Sequence, residues 1–541
     1  MRPISFVKNG LAIFSVFAGL STVFAQTKPN IVLIMADDMG ISDIGCYGSE
    51  IPTPNLDKLA SEGVRFTQFY NTARCSPTRA SLLTGLHPHQ AGMGRLAEEK
   101  IGLATQSPEG YLGYLSKNCV TIAEALKPSG YKTYLAGKWH LGQRDESKWP
   151  LQRGFDRFYG ILTGATSYFR PVEPRGLTLD NEQLPAPTTA DYYTTDAFTD
   201  FAIKTVKENA KDTPFFLYLA FNAPHWPLHA RQDDIAKFVG KYSSGWDKLR
   251  DERHKRMKKL GIVSKDWKLS DRDAGARAWD ALSEPEKTNL DYRMAVYAAQ
   301  VHRMDWNIGR LVETLREKGQ LDNTLIVFLS DNGACAEPYT DLGGMAQEKI
   351  NDPAVLGNVS YGTGWANSSN TPFRKFKSMM HEGGISAPLI VHWPAGIKAK
   401  SGSLNATPGY LIDIMPTFLE ASGAVYPREY KGQPVTPLEG RSLLPILNNK
   451  SPKLIPRIMC WEQYGYRAVR SGDMKAVFTA KNMYDKQGTG QWELYNLAND
   501  RTELHDLATK QPEKLNELIA QWDAWAARCQ VFPAPGAGVK K

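Results

Sequence analysis

Residues 30–35 (NIVLIM) form a continuous apolar run rich in β-branched side chains. Such a run predicts a strand buried on both faces, as in the parallel sheets of α/β proteins. Two adjacent carboxylates, Asp37 and Asp38, follow this strand after a single alanine. Adjacent carboxylates repel each other unless positive charge lies beside them, and open α/β sheets bind ligands at the carboxyl ends of their strands. The pair is therefore either an ordinary turn or part of a cation site.

The same pattern recurs along the chain. The further predicted strands cover residues 131–136, 215–221, 324–329 and 388–393. Ionisable or amide side chains follow three of them, namely Lys138 with His140, then His225, then Asp331 with Asn332. Helix-period segments such as 121–127 and 294–317 lie between the strands. Strands that alternate with helices predict an α/β fold, a mostly parallel mixed sheet with helices on both faces.

A short helix is predicted to begin at residues 75–79, Cys-Ser-Pro-Thr-Arg. Pro77 suits the first turn, where its missing N–H costs nothing, and Gly85 is a typical helix end. Cys75 therefore stands at the positive end of a helix, a place that favours anions. Arg79, one turn further on, adds a cationic fork. These residues predict a thiol beside an anion pocket.

This order of residues, with the tail Leu-Leu-Thr-Gly at 82–85, resembles the signature of the type I sulfatases. In that family the cysteine is oxidised after translation to formylglycine, whose hydrated aldehyde is the nucleophile. The resemblance spans residues 28–527 and includes Gly-Lys-Trp-His at 137–140 and Ala-Pro-His at 223–225. It implies an alkaline-phosphatase-like fold and the hydrolysis of aryl or carbohydrate sulfate monoesters, with release of inorganic sulfate. It also implies a formylglycine-generating maturation enzyme as a partner.

The resemblance further implies one divalent cation, usually calcium. The family's Asp-Asp and Asp-Asn pairs, which hold the cation together with the modified cysteine, match Asp37, Asp38, Asp331, Asn332 and Cys75. The four unmodified side chains offer only oxygen ligands, the set that Ca²⁺ prefers. The Asp-Asn-Gly order at 331–333 is also a turn signal, which is compatible with a ligand role.

Catalytic roles are implied in the same way. Positive charge around the nucleophile and the sulfuryl oxygens would come from Arg79, Lys138 and Lys377. Asp331 would accept the first proton of the aldehyde hydrate. His225, together with Lys377, would protonate the departing alcohol, and His140 would take the proton whose removal expels sulfate.

A chain of 541 residues is too long for one ordinary core. We expect a catalytic domain at 26–455 and a smaller antiparallel sheet plus helix at 456–541. A polar helical insertion is expected at 231–289, with its charged run 253–259 as a solvated face. The Gly- and Asn-rich residues 341–370 are predicted to form a long loop that walls the substrate pocket.

Residues 1–25 have the features of a signal peptide: a basic start, an apolar run at 11–20, and Val-Phe-Ala before residue 26. The run is too short for a stable membrane anchor, so we expect export to the periplasm or secretion, in a Gram-negative bacterium. In such a compartment a disulfide is compatible with the remaining cysteines, and its pairing stays open among Cys46, Cys119, Cys335, Cys460 and Cys529.

The formal charge of +8, from 65 basic and 57 acidic residues, is a mild bias. It suits an anionic substrate, and no recognisable motif points to nucleic acid. Two alternatives remain on the same residues: a phosphate or phosphonate monoester hydrolase, and a non-catalytic protein that binds sulfated glycans. The sequence leaves the substrate and the sulfate position open.

Overall fold

The computed structural model describes residues 28–99, 108–449, 457–482 and 484–531. The predicted signal peptide and the boundary near residue 455 lie outside these residues. The strands are β1 Asn30–Ala36, β2 Val64–Tyr70, β3 Lys132–Lys138, β4 Arg157–Ile161, β5 Leu177–Leu179, β6 Glu182–Leu184, β7 Phe215–Ala220, β8 Thr324–Ser330, β9 Ser386–His392, β10 Ser403–Asn405, β11 Gly409–Tyr410, β12 Glu429–Tyr430, β13 Gln433–Pro434, β14 Ile458–Gln463, β15 Tyr466–Ser471, β16 Met474–Phe478 and β17 Trp492–Asn496.

The α-helices are α1 Pro54–Glu62, α2 Cys75–Thr84, α3 Ile122–Leu126, α4 Thr194–Glu208, α5 Gln232–Ile235, α6 Gly245–Leu260, α7 Glu284–Glu317, α8 Thr363–Ser369, α9 Glu382–Ile385, α10 Ile414–Ser422, α11 Leu444–Leu447 and α12 Pro512–Arg528. Most predicted helices are present. The predicted start of α7 is ten residues late, because Ser283 and Glu286 form a capping box that begins the helix at Glu284.

A central mixed sheet has the order β10-β2-β9-β8-β1-β7-β3-β4-β5-β6, with β11 also paired to β2. β1 is parallel to both of its neighbours, so that Ile34 lies opposite Leu219 on one side and Phe328 on the other. All seven residues of β1 are buried, as the apolar run predicted. The helices α1, α4 and α7 form one packed group and α2, α3 and α10 another. The predicted α/β fold, a mostly parallel sheet flanked by helices, is confirmed.

β9 departs from the parallel pattern. It is antiparallel to both β8 and β2, in a register that places Leu389 opposite Leu329 and Phe66. Its residues are as buried as those of β1, so hydrophobicity alone does not distinguish the two directions. The predicted strand at 388–393 is therefore present, and only its direction required the structure.

The C-terminal part forms a second, antiparallel sheet of β14 to β17, with α12 packed against it. Their shared apolar cluster includes Leu494, Leu518 and Trp522. The indole N–H of Trp461 donates to the carbonyl of Asn71, just before α2 (2.8 Å). The second sheet thus contacts the start of the helix that carries Cys75.

Residues 231–289 contain α5 and α6, but the charged run in α6 is only partly a solvated face. Arg253 is buried and pairs with Asp43 (2.7 Å) and Glu50 (2.8 Å). His254 is buried as well, whereas Lys255 is exposed. The prediction of a solvated run is therefore wrong for Arg253 and His254. The sequence pattern could not show the burial of Arg253, because its acidic partners lie about two hundred residues upstream.

The predicted long loop at 341–370 contains α8. Trp365 of this helix makes an edge contact with the ring of Trp246 in α6, with centroids 5.4 Å apart. The six cysteines are free thiols. Within the described residues, no helix has the length and apolar character that crossing a bilayer requires.

Candidate active site

The turns after the central strands lie side by side at one edge of the sheet. The backbone N–H of Asp37 donates to the carbonyl of Ala223 (2.9 Å), and that of Asp331 to the carbonyl of Ala36 (3.1 Å). The segments after β1, β7 and β8 are therefore tied together directly beyond the sheet. This is the edge at which α/β proteins place their ligands.

Cys75 is the first residue of α2, and all ten residues of this helix are buried. Gly85 ends the helix with a left-handed backbone (φ 67°), and its N–H donates to the carbonyl of Ser81. In the first turn the hydroxyl of Thr78 donates to the carbonyl of Asp331 (2.6 Å). This bond fixes the positive end of the helix against the acidic turn that follows β8.

Each acidic side chain faces a buried cation. Lys138 lies 2.6 Å from Asp37, and Lys377 lies 2.7 Å from Asp38. Arg79 lies 3.2 Å from Asp331 and 3.6 Å from Asp37. The structure thus brings the predicted cations and carboxylates into one buried cluster, although they come from five separate segments.

The two predicted histidines border this cluster on different sides. Nε2 of His225 lies 3.4 Å from Asp38, and its Nδ1 lies 2.6 Å from the carbonyl of Trp226. Nε2 of His140 lies 2.7 Å from the carboxylate of Glu98. Burial lowers the pKa of His225 to about 3 and that of His140 to about 4. Both rings are therefore neutral at neutral pH.

A group of donor atoms here suits a metal ion. Donors of Asp37, Asp38, Cys75 and His225 all lie within 4.8 Å of one another. Oδ1 of Asp37 is buried and has no hydrogen-bond partner among the described residues, and the same is true of Oδ1 of Asn332. Unpartnered buried oxygens are costly unless something positive contacts them. The unpartnered oxygens of Asp37 and Asn332 fit a hard cation.

Three of the predicted ligands, Asp37, Asp38 and Cys75, are in this group, which also contains His225 but not Asp331. Asn332 is an amide and is not among the four donors. Oδ1 of Asp331 instead accepts the backbone N–H of Asp38 (3.1 Å). Burial and the neighbouring Asp37 raise the pKa of Asp331 to about 7. The positive charge around Asp331 therefore does not fully compensate its carboxylate, and a cation beside Asp37 would lower the pKa of Asp331 again.

Burial and the neighbouring lysines have opposite effects on the pKa of both Asp38 and Cys75, and a different one of the two prevails at each residue. Burial opposes the charged form of Asp38, but the adjacent Lys377 outweighs it and holds the pKa of Asp38 below its usual range. Burial also raises the pKa of the Cys75 thiol to about 11, although Lys138 and Lys377 act in the opposite direction. An unmodified cysteine at this position is therefore a protonated thiol at neutral pH.

Three residues at the site have backbone conformations that the sequence did not predict. Asp38, His140 and Ser378 all adopt left-handed conformations, with φ of 67°, 57° and 74°. Non-glycine residues in this region are uncommon and concentrate at functional sites. The turns that aim Asp38 and His140 are thus held by the surrounding structure.

A further group of side chains beside Cys75 was not predicted. Arg74 forms a buried ion pair with Glu337, and its guanidinium lies 5.4 Å from the ring centres of both Tyr464 and Tyr484. The two tyrosine rings lie 4.5 Å apart. This tyrosine wall, Tyr464 with Tyr484, comes from the C-terminal part of the chain. No local pattern links these residues, because they lie far apart in the sequence.

Comparison with known proteins agrees with this geometry. The model of the Sulfatase family matches residues 29–424. The chain belongs to the sulfatase family. A second model, the C-terminal region of N-sulphoglucosamine sulphohydrolase, matches residues 373–524, a range that includes both residues of the tyrosine wall.

Alignments with related proteins extend over most of the sulfatase chain. An uncharacterized sulfatase of Schizosaccharomyces pombe is 36% identical over 533 residues, which is 94% of this chain and 95% of the relative. An arylsulfatase of Klebsiella aerogenes is also 36% identical, over 80% of this chain and 95% of its own length. The solved structure of Ps i-CgsB in complex with k-i-k-neocarrahexaose has a TM-score of 0.65 and 27% identity, and covers 92% of this chain and 93% of that one.

These findings confirm the family and the alkaline-phosphatase-like fold that the motifs predicted. The sulfatase is a sulfuric ester hydrolase.

Proposed function

We propose that this sulfatase cleaves sulfate monoesters with a formylglycine nucleophile made from Cys75, and releases inorganic sulfate. One divalent cation, Ca²⁺, would be held by Asp37, Asp38, Asp331 and Asn332 with the modified residue. The observation that carries the proposal is the buried cluster in which Cys75, at the positive end of α2, lies within 4.8 Å of the donors of two carboxylates.

Modification of Cys75 accounts for the state of its thiol. A protonated thiol is a weak nucleophile, and burial raises the pKa of this one to about 11. An aldehyde hydrate needs no thiolate, and its oxygens match the oxygen-rich donor set. The Sγ atom therefore marks the place at which the mature enzyme would carry an oxygen.

The cation would act as a Lewis acid on a sulfate oxygen. The chain's own residues would do the rest. Three positive charges lie around Cys75 at the start of α2, those of Arg79, Lys138 and Lys377, and would stabilise the charge that develops on the sulfuryl group. Asp331, beside Arg79, would accept the proton of the attacking hydroxyl.

The histidines would serve the two proton transfers that remain. His225 lies beside Asp38 and the charged Lys377, and the two side chains together would deliver the proton to a departing alcohol. His140 lies on the Lys138 side of the cluster and would take the proton whose removal releases sulfate. The separation of the two rings into different neighbourhoods supports this division of roles.

The substrate would be a sulfated small molecule or glycan. A relative named arylsulfatase, and a similar protein solved in complex with k-i-k-neocarrahexaose, support both classes. We further propose export through the signal peptide at 1–25 and activation by a formylglycine-generating enzyme.

A co-expression experiment tests the proposal. The protein is produced with a maturation enzyme, the peptide that contains residue 75 is identified by mass spectrometry, and sulfate release is measured with aryl sulfates and sulfated monosaccharides. We expect the aldehyde at position 75 and sulfate release that Cys75→Ala abolishes. Matched phosphate esters serve as the comparison. An unmodified thiol in active enzyme, or faster turnover of the phosphate esters, would overturn the proposal.

A further inference from the structure

The ring of His140 is held on two sides by groups that the proposed function does not use. Its Nε2 lies 2.7 Å from Oε2 of Glu98. On its face lies the backbone of Gly164, so close that a Cβ there would stand 2.6 Å from Cε1 and 2.8 Å from Nε2 of the ring. The left-handed backbone of His140 is fixed as well, because its N–H donates to the carbonyl of Leu162 (3.2 Å).

The contact with Glu98 decides which ring nitrogen carries the proton. A carboxylate accepts hydrogen bonds and cannot donate one when ionised, so Nε2 of His140 must be the N–H nitrogen. Nδ1 is then left with its lone pair. This atom is buried and has no hydrogen-bond partner among the described residues. Nδ1 of His140, which lies beside Lys138, is therefore free to accept a proton.

We propose that Glu98 is a positioning residue, which holds His140 as the Nε2–H tautomer so that Nδ1 takes the proton in the sulfate-releasing step. The inference rests on the proposed function. The proton passes from the hydroxyl that remains on residue 75 to Nδ1. The electron pair of that O–H bond forms the C=O bond, and the bond to the sulfate oxygen breaks with its pair leaving on sulfate.

Electrostatics support the assignment. Burial lowers the pKa of His140 most, and the charges of Glu98, Lys138 and Arg79 act on its imidazole as well. Both cations make the ring a weaker base, and Glu98 acts in the opposite direction. Without Glu98 the base would thus lose its orientation and part of its proton affinity together. This is the logic by which a carboxylate orients the histidine of a hydrolase triad.

Glu98 also makes bonds that a purely structural residue would make. Its Oε1 accepts the N–H of Gly164 (3.2 Å), and its backbone carbonyl accepts a bond from Arg144 (3.0 Å). The carboxylate is nevertheless 39% exposed. A hydrogen bond to a carboxylate this exposed contributes little to folding, although the ring that donates it is buried. A role in stability alone therefore explains the contact poorly.

Glu98→Gln in the matured enzyme tests the inference, because glutamine keeps the size of the side chain and can present an N–H to the ring. We expect kcat to fall by about 10- to 100-fold, the range typical of groups that orient a functional histidine. KM should fall with it, so that kcat/KM, which reports the steps up to alcohol release, changes less than about twofold. Because the affected step follows departure of the alcohol, rapid mixing should show a burst of alcohol equal to the enzyme present, followed by slow sulfate release. Glu98→Asp should restore part of the rate.

Two further variants keep the test decisive. Gly164→Ala displaces the ring while Glu98 stays intact, and should lower kcat with the same burst. The exposed Glu146→Gln is the matched control and should behave as wild type. If the wild type releases sulfate and Glu98→Gln shows unchanged kcat, or a lower kcat without a burst, the inference is wrong. If the matured wild type releases no sulfate, the proposed function itself fails.

Discussion

Lys377 contacts both carboxylate oxygens of Asp38, with its Nζ 2.7 Å from Oδ1 and 2.9 Å from Oδ2. Both side chains are buried. Asn332 donates to the same carboxylate (2.7 Å), so Asp38 is the point at which the segments after β1 and β8 meet the Lys377 segment. A buried carboxylate that loses its cation is left as an uncompensated charge.

Lys377→Ala is therefore expected to lower both activity and stability. Removal of one partner from a buried pair costs about 3–5 kcal/mol, less whatever a bound cation offsets. Loss of one fixed charge at the reacting group should lower kcat by about 100-fold or more. Urea unfolding and sulfate release measure the two effects. The exposed Lys400→Ala is the control, and equal losses in both variants would contradict the assignment.

The cation site predicts a stability that depends on calcium. A ligand that binds only the folded state stabilises it by about 2.7 kcal/mol at a hundred times its Kd. Thermal unfolding of the unmodified protein should therefore shift upward by several degrees on addition of Ca²⁺, and EDTA should reverse the shift. This readout is independent of turnover.

Asn332→Ala removes one of the two unpartnered oxygens, so it should weaken the calcium dependence and move the midpoint of the shift to higher Ca²⁺ concentration. The exposed Asn499→Ala should leave the calcium titration unchanged. If the unfolding temperature of the wild type does not change with Ca²⁺, Mg²⁺ or Mn²⁺, the cation proposal is wrong.

The catalytic edge of the sheet was predictable because its cues are local. An apolar run followed by Asp37 and Asp38, or by Lys138, marks both a strand and its carboxyl end, and the topology of a parallel sheet then brings these ends together. The short helix at Cys75 could likewise be predicted from Pro77 and Gly85. Each of these inferences depends on fewer than fifteen neighbouring residues.

What the sequence did not reveal depends on distant partners. The burial of Arg253 follows from Asp43 and Glu50, more than two hundred residues away. Glu98 is an ordinary acidic residue until the fold sets it against His140. Charge runs and single acids therefore carry no structural meaning by themselves, because their partners are chosen by topology.

The tyrosine wall predicts an effect on substrate affinity more than on chemistry. Tyr464 is half-buried, and its ring lies over Arg74, the residue directly before Cys75. Loss of an aromatic contact with a sugar or aryl ring is worth about 1 kcal/mol, or roughly fivefold in KM. Tyr464→Ala should therefore raise KM for ring-bearing sulfates with little change in kcat.

A comparison of substrates checks this prediction. KM for an aryl sulfate and for a sulfated monosaccharide should rise in Tyr464→Ala, whereas Tyr464→Phe should resemble the wild type. Tyr430→Ala, in the separate hairpin of β12 and β13, is the control. A fall in kcat at unchanged KM would place the effect of Tyr464 on the chemistry instead.

A buried charge network joins the second sheet to the Lys377 segment and predicts acid sensitivity. Glu382 lies 2.9 Å from Lys475 of β16 and 2.7 Å from Arg501, and its carboxylate also accepts the hydroxyl of Tyr70 (2.9 Å). Burial favours the neutral acid, but Lys475 and Arg501 outweigh it and lower the pKa of Glu382 to about 2.

The folded-state pKa of Glu382 lies below the unfolded-state value of 4.5. Its contribution to stability is therefore fully present above pH 4.5 and is lost as the pH falls towards 2. A shift of this size corresponds to about 3 kcal/mol. Glu382→Gln should lower the free energy of unfolding at pH 7 by an amount of this order, and the difference from the wild type should shrink between pH 4.5 and 2.

Urea unfolding across this pH range measures the difference, and the subtraction cancels the many other carboxylates that titrate there. The exposed Glu420→Gln should run parallel to the wild type at every pH. A Glu382→Gln curve that also runs parallel would show that the network carries no linked proton. If the difference in unfolding free energy between the wild type and Glu382→Gln shrinks as expected, the second sheet holds the Lys377 segment through these charges. Sulfatase activity should then be lost in acid before the central sheet unfolds, because the Lys377 segment is released first.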